Sequence, residues 1–103
     1  IFVVCLQRMT WDGKKINTLV NYTHELELKK YMCGYKKKEY MYELFGVCNH
    51  SGSPTNGHYT AFVKKEDNWF FCDDEQIQLV NDKKHIITPY AYCLFYMKKN
   101  NKI

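Results

Sequence analysis

Residues Tyr42 to Asp74 read YELFGVCNHSGSPTNGHYTAFVKKEDNWFFCDD. Tyr42 and Leu44 alternate with Glu43 and Phe45, the period of a half-buried strand, and an apolar Val47-Cys48 step follows. Tyr40 to His50 is therefore expected to be a strand. SGSPTN, Ser51 to Asn56, is turn chemistry throughout. Gly57-His58 opens a second strand over Tyr59 to Lys65, Glu66-Asp67-Asn68 turns the chain, and Asn68 to Asp73 returns it. Asp73 falls fifteen residues after His58. Two antiparallel strands joined by that turn can bring a histidine and an acid side by side.

Working outward, Gln76 to Val80 reads as a short strand with Ile77 and Leu79 on one face. Asn81 to His85 suggests a helical turn or a loop, and Pro89 interrupts the chain before a last strand over Tyr90 to Met97, YAYCLFYM. Upstream, IFVVCLQR (Ile1 to Arg8) reads as a central strand. Asp12-Gly13 signals a turn, with Lys14 to Leu19 as a return strand. Val20 to Tyr31 is ambiguous between coil and a helical turn. CGYKKKE, Cys33 to Glu39, is a polar loop, and the Lys/Asn tail is expected to fray. The fold class is α+β, mostly antiparallel sheet with few short helices. All 103 residues make one domain or a piece of one. A chain seldom opens on a core strand, so further sequence is expected upstream.

Composition narrows the function. Net charge is +4, spread over lysine pairs at turns and at the chain end, which is a solvated surface more than a nucleic-acid footprint. No apolar run reaches membrane-spanning length. Neither nucleic acid nor membrane is an expected partner. The five cysteines are odd in number and lack a C-x-x-C pair, and Cys5, Cys48 and Cys93 sit in apolar strand-like runs. Such thiols point to a reducing compartment, cytoplasm or nucleus. Cys48, His50, His58 and Cys72 lack the short paired spacings of a structural zinc site. No metal or cofactor is expected.

A histidine acting as general base needs an acid to fix its tautomer, a near-neutral pKa and open space at its other nitrogen. His58 and Asp73 are candidates for that pair, with Asp74 as a second acid. Gly57 allows close backbone approach, which suits a groove. A nucleophile is harder to find. Cys48 lies in an apolar strand and Cys72 directly precedes Asp73, and neither has the helix-start setting that activates a thiol.

The order Gly46-Val47-Cys48-Asn49-His50-Ser51-Gly52, then Gly57-His58-Tyr59-Thr60-Ala61, then Trp69-x-x-Cys72-Asp73-Asp74, then Ala91-Tyr92-Cys93-Leu94-Phe95-Tyr96 resembles the histidine box of ubiquitin-specific proteases. Val4-Cys5-Leu6-Gln7-Arg8-Met9 and Leu26-Glu27-Leu28-x-x-Tyr31 resemble the segments before it. The resemblance implies the C-terminal, palm-like half of a papain-like cysteine protease domain, acting on (iso)peptide bonds at the C-terminal glycine of ubiquitin. It implies His58 as catalytic histidine, Asp73 as the orienting residue and Asp74 as a lesser candidate. It implies a mobile loop over His50, Ser51, Gly52 and onward to Asn56. Gly57, Tyr59 and Met9 would contact the ubiquitin tail. Expected partners are ubiquitin or ubiquitinated proteins and the N-terminal part of the same catalytic domain, which would carry the nucleophilic cysteine. The chain departs from the family in having Gln7-Arg8-Met9 for Lys-Arg-Phe and Cys72 for an aromatic. The alternative is a catalytically inactive ubiquitin-binding scaffold, and a β-rich nucleic-acid binder ranks last.

Overall fold

A computed structural model describes residues 1–28 and 41–99. Among the described residues seven strands form one antiparallel sheet: β1 (Phe2–Cys5), β2 (Glu25–Glu27), β3 (Met41–Gly52), β4 (Gly57–Lys65), β5 (Asn68–Asp73), β6 (Gln76–Val80) and β7 (Ala91–Lys98). Their order across the sheet is β1-β7-β3-β4-β5-β6, with β2 paired to the start of β3. A 3-10 turn, Lys83–Ile86, links β6 to β7, and the Asp82 side chain caps it by accepting from the Lys84 N–H. The polar stretch Cys33 to Glu39, Tyr40 and the tail 100–103 lie outside the described residues.

β3 to β6 follow one another as a meander because each connection is short and carries its own turn chemistry. Ser53 Oγ accepts the Asn56 N–H across the β3–β4 connection. Gly52, at φ +97°, closes the last pair with Gly57, and Ser51 and Gly52 belong to β3 and not to the loop. Glu66 takes φ +57° in the β4–β5 turn. Asp74 takes φ +52° in a two-residue turn between β5 and β6, a conformation that Asp tolerates better than most side chains.

Two register shifts set which residues face the core. Leu44 pairs with Tyr96 but Gly46 pairs with Phe95, so Phe45 is an extra residue in β3. Cys48 pairs with Cys93 but Asn49 pairs with Ala91, so Tyr92 is an extra residue in β7. Each bulge moves the following side chains to the other face, and the two cancel. They allow even-numbered Leu44 and odd-numbered Val47 to be buried together, as they do Leu94 and Ala91. The core on that face adds Phe62, Trp69 and Tyr96, and Tyr22 and Ile86 cover it. The Tyr22 hydroxyl donates to the Ile86 carbonyl and accepts the Thr88 N–H, tying the irregular 17–24 segment over the sheet. The Tyr96 hydroxyl donates to the Thr23 carbonyl at 2.7 Å.

Two upstream expectations are corrected. Ile1 to Arg8 is not a central strand: β1 stops at Cys5 and forms the edge of the sheet, leaving Phe2 and Val3 exposed. Its apolar run is satisfied on one side only, by β7. The return strand over Lys14 to Leu19 shrinks to one bridge between Met9 and Lys15 around the left-handed Gly13. What holds the next segment is Arg8, 5% exposed, whose side chain donates to the carbonyls of Ala91 and Thr18.

Candidate active site

The β3–β4 and β4–β5 pairings decide which side chains share a face. Ser51 lies opposite His58, Asn49 opposite Thr60, Val47 opposite Phe62, and Phe62 opposite Phe71. The ladder between β4 and β5 ends at Ala61 and Cys72. Asp73, one residue beyond, shares a face with Phe71 and reaches diagonally toward His58. His58 Nε2 and Asp73 Oδ1 are 2.6 Å apart. Both side chains remain open to solvent, at 50% and 42%.

Asp73 holds the His58 pKa above its ordinary value, first through this hydrogen bond and then through its charge, and Asp74 adds a smaller push. The Nε2–H donates to the carboxylate, so Nδ1 carries the free lone pair. That nitrogen is the one available to exchange a proton. The atoms of His58, Asp73 and Asp74 lie within 4.8 Å of one another, close enough to hold a cation. The hydrogen-bonded ion pair already accounts for the arrangement. Among the described residues Cys48, His50, His58 and Cys72 do not gather into a metal-binding set.

The pair stands in an open cavity of about 430 Å³ lined by Asn49, Ser51, His58, Thr60, Phe62, Phe71, Asp73, Thr88 and Tyr90. No described cysteine lines it. Cys48 is partly buried, and burial raises its thiol pKa, the opposite of what a nucleophile needs. Cys72 adjoins Asp73 in β5 and so points to the other face.

The other expected site residues gather elsewhere. Met9, His50 and Tyr59 line a separate depression of about 170 Å³ with Arg8, Lys15, Pro54 and Tyr92, and it shares no residue with the first. Adjacent strand residues face opposite sides, which separates His58 from Tyr59. His50 sits in β3, not in the loop, and is only 7% exposed. Its ring packs 4.8 Å from that of Tyr59 and lies directly over Gly57. A Cβ at Gly57 would sit 1.8 Å from His50 Nε2. Lys15 Nζ is 2.6 Å from His50 Nδ1, so the lysine donates there and leaves the ring proton on Nε2. Burial, and then the Lys15 charge, lower the His50 pKa. Exposed Gly52 ends β3 beside Gly57, at the strand ends where the two faces meet.

Sequence reasoning missed Asn49, Thr60, Thr88 and Tyr90 as cavity lining and Lys15 as the partner of His50. Alternation along β3 and β4 could have found Asn49 and Thr60 once their pairing was known. Nothing local marks Lys15, which meets His50 across thirty-five residues of sequence. A third depression of about 360 Å³, among His24, Glu43, Lys64 and Trp69, shares no residue with either.

The model of the family described as ubiquitin carboxyl-terminal hydrolase matches residues 1–96. The chain is 40% identical to the putative ubiquitin carboxyl-terminal hydrolase 11 of Arabidopsis thaliana, over 95% of this chain and 12% of that protein. It is 32% identical to ubiquitin carboxyl-terminal hydrolase 4 of Mus musculus, over 99% of this chain and 11% of that protein. Among solved structures it matches a chain of the SAGA Ubp8/Sgf11/Sus1/Sgf73 DUB module bound to ubiquitin aldehyde, with TM-score 0.78 and 27% identity. That match covers 92% of this chain and 23% of the other. The chain thus spans about an eighth of the curated relatives it matches.

Proposed function

The chain belongs to the ubiquitin carboxyl-terminal hydrolase family, and from that premise we propose that it is the histidine-bearing part of a cysteine-type deubiquitinase. The reaction is hydrolysis of the peptide or isopeptide bond after ubiquitin's C-terminal glycine. The observation that carries the reading is the 2.6 Å pairing of His58 with Asp73 in an open cavity.

In the proposed reaction a cysteine thiolate supplied by sequence outside these 103 residues attacks the glycine carbonyl carbon. His58 Nδ1 takes the thiol proton and returns it to the leaving amine as the thioester forms. A water, deprotonated by the same nitrogen, then cleaves the thioester. Asp73 fixes the imidazole in the tautomer that exposes Nδ1 and stabilises imidazolium. Asp74 adds negative charge nearby. Tyr59, Met9 and the 50–56 segment line the approach of the ubiquitin tail, where steric exclusion selects against bulkier termini. Ubiquitin conjugates and the nucleophile-bearing part of the same domain are the partners. The odd number of cysteines and the lack of a C-x-x-C pair favour a reducing cytoplasm or nucleus.

The test is hydrolysis of a fluorogenic ubiquitin C-terminal amide by the full-length protein. Turnover that is lost on thiol alkylation and in His58→Ala supports the proposal. A folded full-length protein that binds ubiquitin without turnover makes it a scaffold instead. The 103-residue chain by itself is expected to be inactive, because no described cysteine lines the His58 cavity.

A further inference from the structure

We propose that Cys5 and Cys93 form a reversible disulfide, a redox modification site that staples the edge strand β1 to β7. The inference does not depend on the deubiquitinase reading. Its first support is register: Cys5 lies directly opposite Cys93. The Leu6 N–H donates to the Tyr92 carbonyl at 2.9 Å, one residue outside the pair on each strand. That bond makes Cys5 and Cys93 a non-hydrogen-bonded pair, the kind whose Cα atoms approach to about 4.5 Å and whose side chains lie closest. A Cα separation of that size is within the range disulfides span.

The second support is contact. The two sulfurs are 3.3 Å apart, both are free thiols, and Cys5 is exposed. Closing the remaining gap needs side-chain rotation and no change of strand pairing. Cys48 flanks Cys93 on the other side, opposite it in β3, but is less accessible than Cys5. Burial, then the hydrogen bond and charge of Cys5, push the Cys93 thiol pKa up to about 11. Exposed Cys5 is therefore the thiol an oxidant reaches first, and Cys93 is the resolving thiol.

The oxidant is a peroxide. Cys5 sulfur attacks the peroxide O–O bond, which breaks to give Cys5 sulfenic acid and one water from hydrogen peroxide. Cys93 sulfur then attacks Cys5 sulfur. The S–S bond forms, the S–O bond breaks, and the hydroxyl leaves with the Cys93 proton as a second water. Both thiols have given up their hydrogens and the peroxide has taken two electrons. A thiol such as glutathione or dithiothreitol reverses the step by exchange. The staple fixes β1 just before Leu6 to Met9, which line the depression that holds His50 and Tyr59.

The experiment treats the full-length protein with hydrogen peroxide, alkylates the remaining thiols and maps peptides without reduction. The expected result is a cross-linked peptide pair containing Cys5 and Cys93, lighter by two hydrogens, absent after dithiothreitol and absent in Cys5→Ser. Amide exchange along β1 should slow in the oxidised form. Recovery of Cys5 and Cys93 as separately alkylated thiols would overturn the proposal. So would a Cys48–Cys93 link in its place, or Cys5 driven to sulfinic acid while Cys93 stays free.

Discussion

His50 and His58 sit on the two strands of one hairpin, β3 and β4, and their charged neighbours are of opposite sign. His50 is buried, packs on Tyr59 and receives a hydrogen bond from a cation, Lys15. His58 is half exposed and donates a hydrogen bond to an anion, Asp73. Burial and a neighbouring cation favour neutral imidazole, whereas a carboxylate partner favours imidazolium. The pKa values move apart accordingly, down for His50 and up for His58. One fold thus holds a histidine whose pKa is lowered and one whose pKa is raised eight residues apart, and the sheet separates them by face. What assigns the chemistry is the partner each ring meets, and residue type alone does not.

The largest effects are expected from removing the His58 ring and its partner Asp73. If the proposed function holds, His58→Ala in the full-length protein should reduce ubiquitin-amide hydrolysis by about 10⁴-fold or more, as for other members of a nucleophile–base unit. Activity close to wild type would mean that the two histidines do not differ in role as argued. Asp73→Ala should be about tenfold to hundredfold milder than loss of His58, because the base survives without its orienting acid. It should also bring the His58 titration midpoint, read by NMR, down toward 6.5, since its largest raising causes are gone. A midpoint that stays put would remove Asp73 from the account and leave Asp74.

Gly57→Ala tests where the two regions touch. The added methyl meets the His50 ring itself, with Nε2 at 1.8 Å and Cε1 at 2.3 Å, so the ring must leave its place over the strand. Overpacking of this kind costs about 1–3 kcal/mol. Urea unfolding of the full-length protein should register it as a lower midpoint with unchanged slope. An unaltered midpoint would show that His50 yields freely and is not a fixed structural group.

Much of this contrast was legible in the sequence and part of it was not. The meander β3 to β6 could be read because strand alternation and turn residues are local signals, and the His58-to-Asp73 spacing is a consequence of that meander. The edge position of β1 was not, since IFVVC reads alike whether a strand has one neighbour or two. It is β7, from the far end of the chain, that takes the place beside β3. The bulges at Phe45 and Tyr92 were equally hidden, because each exists only relative to the partner strand. Alternation placed His50 at the end of a strand, and only the family resemblance drew it into the loop; its contacts with Lys15 and Tyr59, neither adjacent in sequence, could not be read.

The smallest expected effect isolates what Lys15 adds to burial. In Lys15→Met the cation and its hydrogen bond to Nδ1 are gone, while the burial that is the larger cause of the low His50 pKa remains. The His50 midpoint should therefore rise only part of the way to 6.5, and that of His58, which Lys15 does not influence, should not move. Stability follows with opposite signs for the two rings. A histidine whose folded pKa is depressed loses stability as pH falls from the unfolded value near 6.5 toward the folded one, because the unfolded chain takes the proton first. One whose folded pKa is raised contributes stability below 6.5 and loses it as pH rises through the folded value. Lys15→Met should narrow the first window and leave the second in place, so the acid-side decline in melting temperature between neutral pH and pH 5 should become shallower. An unchanged His50 midpoint would mean that burial alone holds that ring neutral, and the lysine would then be only its hydrogen-bond partner.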